Sequence, residues 1–248
     1  MLIFPDIRAF RTGHIMNKQI IEICGAPGVG KSTLVASCER ELRNRGYSVR
    51  RLAKNPRPRS RVQKMVNLLR SKGRRKLFSV YSKIDKTCLK YFEYTAKYPE
   101  ALRFSRQLLM CMMCLRVFGY RNCDFLFCDE AFIQNVTSTA HNRKFTDDEL
   151  DWFSTFLNEN IYKAHKITVI DCHLDMEENL RRIEKRGKKG DRFNVGSKEE
   201  KTELLKVKTH NINEIIKRIN YDRLIFCDTG DLDHCVQTIM TEVGACCK

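Results

Sequence analysis

Residues Gly25, Ala26, Pro27, Gly28, Val29, Gly30, Lys31, Ser32 and Thr33 set a glycine, four free positions and then Gly-Lys-Ser between an apolar run and a helical pattern. That spacing belongs to a phosphate-binding loop. Glycines let successive backbone N–H groups turn toward an anion, and the positive end of the following helix adds attraction. Lys31 would set its charge on the β and γ phosphates, and the Ser32 hydroxyl would ligate magnesium, so ATP with Mg2+ is the expected ligand. Such a loop needs an acid from a neighbouring strand, and residues 124–128 (DFLFC) lead directly into Asp129 and Glu130. Asp129 is the expected second metal ligand. Glu130 either deprotonates an attacking hydroxyl or water, or hydrogen-bonds metal-bound water.

Further along, residues 179–194 (NLRRIEKRGKKGDRFN) crowd seven cations into sixteen positions: Arg181, Arg182, Lys185, Arg186, Lys188, Lys189 and Arg192. Arg182 and Arg186 are four apart and share one face of a helix, while Gly187 and Gly190 permit a loop that carries Arg192. A lid over 180–194 would exclude water and stabilise phosphoryl oxygens as their charge redistributes. The plainer alternative is an exposed basic helix end.

These groups can act together only if the chain brings them to one edge, and its patterning supplies the frame. Residues 19–24 (QIIEIC) read as a strand running into the glycine loop, and a helical pattern spans 31–45, closed by Gly46. Residues 47–53 (YSVRRLA), 124–128, 166–172 (KITVIDC) and 223–227 read as four more strands. Thr146 with Glu149, and Ser197 with Glu200, form capping boxes for helices reaching Ile161 and about Asn220, and a last helix covers 231–243. The stretch 55–62 (NPRPRSRV) opens a helical insertion over 55–118, whose last part, from Pro99 to Gly119, reads as one long buried helix. Short apolar strands separated by helices predict an α/β fold: a five-stranded parallel sheet with helices on both faces and ligands at the carboxyl ends of the strands.

With 248 residues, 42% hydrophobic and 31% charged, the chain suits one domain over 16–248, preceded by a disordered tail over 1–15. No run approaches the ~18 apolar residues needed to span a bilayer. The first fifteen residues lack the ordered charged and apolar regions of an export signal, so a cytoplasmic location is expected. The twelve cysteines are then expected to be reduced, with Cys24, Cys128 and Cys227 as core filler. Cys111 and Cys114 form a CxxC, but no second pair follows at zinc-site spacing. The formal charge of +16 is concentrated: residues 40–90 carry 18 Lys and Arg against Glu41 and Asp85, matching the whole excess. Such a segment attracts nucleic acid, an anionic membrane surface or a phosphorylated substrate, or is a solvated helical face.

The order of P-loop, Asp-bearing strand, KITVIDC strand, acidic turn DMEE and NLRRIEKRGKKGDRF resembles the P-loop nucleotide and nucleoside kinase superfamily, in particular its thymidylate kinase-like group. The likeness covers most of 17–243, and its most discriminating part is Leu180, Arg182, Ile183, Arg186, Gly187, Asp191, Arg192 and Phe193. It implies ATP- and magnesium-dependent transfer of the γ-phosphoryl group to a small nucleotide- or nucleoside-like acceptor, with Arg182, Arg186 and Arg192 as lid arginines. The chain departs from the group at Pro27, where an acid is usual, at Glu130, where arginine is usual, and at Asn194, where glutamate is usual. No Arg-Glu-Pro-Gly-Gly run follows the second strand, so thymidylate itself is not the expected acceptor. The expected partners are a small phosphate-accepting substrate, a nucleic acid or other polyanion on the basic segment, and a second copy of the chain in a homodimer. The competing assignment is a P-loop ATPase or polynucleotide kinase acting with nucleic acid through residues 40–90.

Overall fold

The computed structural model describes residues 19–52, 108, 111, 123–140, 142–187 and 196–245. Five strands form one sheet: β1 (Gln19–Gly25), β2 (Val49–Leu52), β3 (Phe125–Asp129), β4 (Ile167–His173) and β5 (Arg223–Asp228). Their order is β2-β3-β1-β4-β5, and all four pairings are parallel. The α-helices whose bounds lie among the described residues are α1 (Lys31–Asn44), α2 (Ile133–Thr139), α3 (Asp147–Leu157), α4 (Met176–Arg186), α5 (Lys198–Ile216) and α6 (Leu232–Glu242).

Alternation along β1 divides the core. Ile21 and Ile23 join Leu34, Val35, Ile225 and Ile239 on the face covered by α1 and α6, whereas Ile20 and Cys24 join Phe153, Ile161, Ile212 and Ile215 on the face covered by α3 and α5. A strand buried on both sides must be apolar at nearly every position, which is why residues 19–24 read as a continuous run. One position breaks the rule: Glu22 is fully buried at the centre of β1.

The expected helix boundaries have identifiable local causes. Both capping boxes form: the Thr146 side chain accepts from the Glu149 N–H and the Ser197 side chain from the Glu200 N–H, with each glutamate returning to the cap backbone. Gly46, φ +84, follows α1, where the Gly46 and Tyr47 N–H groups bond back to Arg43 and Leu42. The helix expected to reach Ile161 instead leaves α geometry after Leu157 and finishes in a single π turn, Asn158–Tyr162. There the Asn160 side chain takes the Phe156 carbonyl, and the Lys163 N–H bonds five residues back to Asn158.

The short helix α2 was not expected from the sequence. Its residues, IQNVTST, are β-branched or polar and form helices poorly. All seven are buried, and tertiary packing overrides propensity. Of the helix expected near the end of the insertion, Leu108 and Cys111 are helical and buried, and its other residues lie outside the described ones. The tail over 1–15 and the basic segment beyond Leu52 lie outside them as well. No helix among the described residues is long and apolar enough to cross a membrane. Cys24, Cys38, Cys128, Cys172, Cys227 and Cys235 are free thiols in the core.

Candidate functional site

The sheet order puts the loop after β1 between the ends of β3 and β4. In register, Ile23 pairs with Asp129 and Gly25 with Cys172, so both neighbouring strands end beside the loop. The chain leaves β1 at Gly25 with φ +141, where a Cβ would lie 2.5 Å from the Cys172 carbonyl oxygen. At Gly28, φ +89, a Cβ would lie 2.3 Å from Asn179 Oδ1 and 2.6 Å from Ile183 Cγ1. Helix α4 therefore packs directly on the loop, an approach open only to glycine.

Lys31 begins α1 and is almost fully buried. Its Nζ folds back to donate to the carbonyls of Gly25 and Ala26, 2.8 Å from each. Burial pulls its ammonium below the ordinary value, and the nearby Arg186 guanidinium acts in the same direction. An anion in the cleft would compensate both effects.

Ser32 Oγ donates to Asp129 Oδ2 at 3.1 Å, while Asp129 Oδ1 is buried without a hydrogen-bond partner. An orphaned buried carboxylate oxygen beside a hydroxyl on a phosphate loop fits a hard, oxygen-seeking dication. Magnesium suits this donor set. No cluster of three or more His, Cys, Asp and Glu side chains that could hold a metal occurs among the described residues, so phosphate oxygens and water would complete the shell.

Glu130 follows Asp129 with φ +53, the one non-glycine residue with positive φ among those described. It lines the same cleft, of about 640 Å³, as Gly28, Gly30, Lys31, Ser32 and Thr33. Gly25, Ala26, Pro27 and Val29 form the body of the loop, with Ala26 and Val29 packed into the core.

Helix α4, packed on the loop, brings Arg182 and Arg186 to this cleft. Asp175 caps its N-terminus by accepting from the Glu177 and Glu178 N–H groups, and Gly187 ends it in a left-handed conformation. Arg182 Nε donates to Glu178 Oε1 at 2.8 Å, and its Nη1 stands 3.4 Å from the site of a Cβ on Gly30. Arg181 forks the same carboxylate from the solvent side, at 2.6 and 2.8 Å. Hydrogen bonds from Arg181 and Arg182 hold Glu178 well below the usual carboxylate range. Arg192 and the rest of the lid from Lys188 lie outside the described residues.

The turn after β5 adds Thr229, Gly230 and Leu232 to the cleft, residues that carry no motif. Thr229 Oγ1 donates to the Val29 carbonyl and lies 2.9 Å from the His173 carbonyl, fastening the loop to the end of β4. At that end His173 Nε2 pairs with the buried Asp171 Oδ2 at 2.8 Å, and this hydrogen bond raises the imidazole above its ordinary value. The sequence held one usable signal for this group: a Thr-Gly pair directly after a strand end belonging to the same carboxyl edge.

No protein-family model matches the chain, and no curated protein sequence matches it. Solved structures do. A deoxyadenosine kinase from M. mycoides, with products dCMP and a flexible dCDP bound, aligns at a TM-score of 0.51 and 17% identity, over 92% of this chain and 100% of that one. The same enzyme with dATP bound aligns at a TM-score of 0.48 and 18% identity, over 91% and 99%. The first of these, together with the five-stranded parallel sheet, shows that the chain shares the fold of that structure.

Proposed function

We propose that this chain is a phosphotransferase that moves the γ-phosphoryl group of ATP to the hydroxyl of a nucleoside-class acceptor, with magnesium. The observation that carries the reading is convergence: Lys31, Ser32, Arg182 and Arg186 line one cleft with Glu130, and Ser32 is hydrogen-bonded to Asp129. A cleft that only held a nucleotide would need the loop and little else. Two arginines lining the cleft suit a group whose equatorial oxygens change charge during transfer. The acceptor class is supported by the likeness of fold to a deoxyadenosine kinase, carried over as analogy.

In this reading the loop N–H groups and Lys31 bind the β and γ phosphates, and Lys31 leaves the Gly25 and Ala26 carbonyls to do so. Ser32 and Asp129 would hold magnesium, which when bound neutralises β and γ oxygens. Glu130 takes the proton of the acceptor hydroxyl as that oxygen bonds to the γ phosphorus and the bond to the β–γ bridging oxygen breaks, releasing ADP. Arg182 and Arg186 meet the charge on the transferring group, and Arg192 is the third lid arginine.

The test is ATP turnover by the purified chain with magnesium, alone and then with nucleosides, nucleotides and single-stranded oligonucleotides. ADP formed in step with a phosphorylated nucleoside is the expected result. Turnover without an acceptor, or only with oligonucleotide, would move the chain to the ATPase or polynucleotide kinase class.

A further inference from the structure

The buried carboxylate at the centre of β1, Glu22, plays no part in the chemistry proposed above. Glu22 is buried among apolar neighbours on β1, where Ile20 and Cys24 share its face. A charge-capable group is rarely enclosed this way unless its oxygens are needed. Both are used. Oε1 accepts from the backbone N–H groups of Phe132 and Ile133, 2.8 Å from each, and Oε2 accepts from the Tyr162 hydroxyl.

Those two N–H groups belong to the start of α2, which has no capping side chain of its own at Phe132. The cap comes instead from a residue 110 positions earlier in the chain. Between the end of β3 and this cap stand only Glu130 and Ala131. Glu130 holds φ +53, a conformation that a side chain with a Cβ adopts only under constraint. The constraint is visible at both ends. Pairing of Asp129 with Ile23 fixes the entry, Glu22 fixes the exit, and the Asn135 amide donates to the Glu130 and Ala131 carbonyls between them. Tyr162, which reaches Glu22, is the last residue of the π turn before β4.

We infer that Glu22 is a positioning residue that holds the Asp129–Phe132 turn in the conformation presenting Glu130 to the phosphate cleft. The inference rests on the catalytic reading of Glu130 only for its kinetic consequence. Its structural part stands on the hydrogen bonds alone.

Two substitutions of similar volume separate this role from core filling. Glu22→Gln keeps an oxygen that accepts both N–H groups and an amide that can donate to Tyr162, whereas Glu22→Leu keeps the volume and removes every acceptor. For Glu22→Leu the expected result is amide exchange at Phe132 and Ile133 faster by about tenfold or more, beyond any change at β4, and kcat lower by about tenfold or more, with KM for ATP within about threefold. Glu22→Gln should stay within about threefold of the parent in all of these. Unchanged exchange at the turn in Glu22→Leu, or a rise spread evenly over the sheet, would overturn the inference. If Glu22→Leu does not fold, Tyr162→Phe decides. Faster exchange confined to the turn supports the anchor, and none overturns it. Should the parent transfer no phosphoryl group to any acceptor, the phosphotransferase reading fails while the exchange result still judges Glu22.

Discussion

Ser32 Oγ and Asp129 Oδ2 lie 3.1 Å apart although 97 positions separate them in the chain, so the first turn of α1 is tied to the end of β3. The tie follows from strand order, because β3 is the neighbour of β1 and the register places Asp129 opposite Ile23. Any chemistry that needs a hydroxyl and a carboxylate beside this loop therefore finds both together.

Asp129→Asn tests that pair. The amide keeps the shape and can still accept from Ser32, but it lacks the charge that a dication needs. Turnover should fall by about a hundredfold or more, with the magnesium concentration for half-maximal activity raised, while metal-free ATP binding changes little. A magnesium titration of turnover, beside a nucleotide-binding titration in chelator, checks it.

Lys31→Ala should weaken triphosphate binding and abolish measurable turnover. The parent has a further signature. Because burial lowers the Lys31 ammonium, a bound polyphosphate would raise it again, so binding takes up protons at alkaline pH below the ordinary lysine value of 10.5. Calorimetric titration in buffers of different ionisation enthalpy should show this uptake in the parent and not in Lys31→Met.

The two helix arginines should separate under substitution. Arg186→Ala is expected to lower kcat by about tenfold to a thousandfold with little change in KM for ATP, since a group meeting the transferring phosphoryl acts mainly in the transition state. Glu178→Ala should have a smaller effect, because it frees Arg182 from its brace without removing the cation. Steady-state kinetics of both variants, with thermal melts to verify folding, decide the point.

How far these groups could be read from the chain depended on how local their causes are. The loop at 25–33 is a contiguous pattern with its strand and helix on either side, and the capping boxes at Thr146 and Ser197 need only four residues each. Asp129 was legible because a charged residue ending an apolar run marks the carboxyl edge. Leu232 was not, since it reaches the cleft through the pairing of β5 with β4, and the Thr229-Gly230 pair offered only its place after a strand end. Helix α2 escaped for the same reason. Its sequence argues against a helix, and the cap that favours one is Glu22.

The loop's contact with α4 gives a stability prediction. Gly28→Ala would put a Cβ 2.3 Å from Asn179 Oδ1 and 2.6 Å from Ile183 Cγ1, in a backbone conformation that alanine resists. Overpacking and positive φ each cost on the order of 1–3 kcal/mol, so a loss of about 2–4 kcal/mol is expected unless α4 moves. Since Arg182 and Arg186 ride on α4, movement would appear as lost turnover in a chain that still melts normally. Denaturant unfolding beside kinetics distinguishes the two.

Glu22 should also govern how stability depends on pH. Burial pushes its carboxyl up from 4.5 to about 7, against the lowering effect of its bonds from Tyr162, Ile133 and Phe132. Cys24 and Cys128 also flank it, and burial raises both thiols far above neutrality, so they stay uncharged in this range. The folded chain then holds a proton on Glu22 that the unfolded chain has released between pH 4.5 and about 7. Native protein binding more protons means that stability falls as pH rises, so the contribution is complete below pH 4.5 and gone above about 7. A shift of this size corresponds to roughly 3 kcal/mol, at about 1.4 kcal/mol per unit. His173, raised by Asp171, acts in the same direction, so the parent curve alone would not isolate Glu22. Glu22→Gln would, because it leaves His173 in place and removes only the titrating carboxyl. Urea unfolding from pH 4.5 to 8 should therefore show parent stability declining relative to Glu22→Gln by a few kcal/mol, and parallel curves would mean that Glu22 does not titrate in this range.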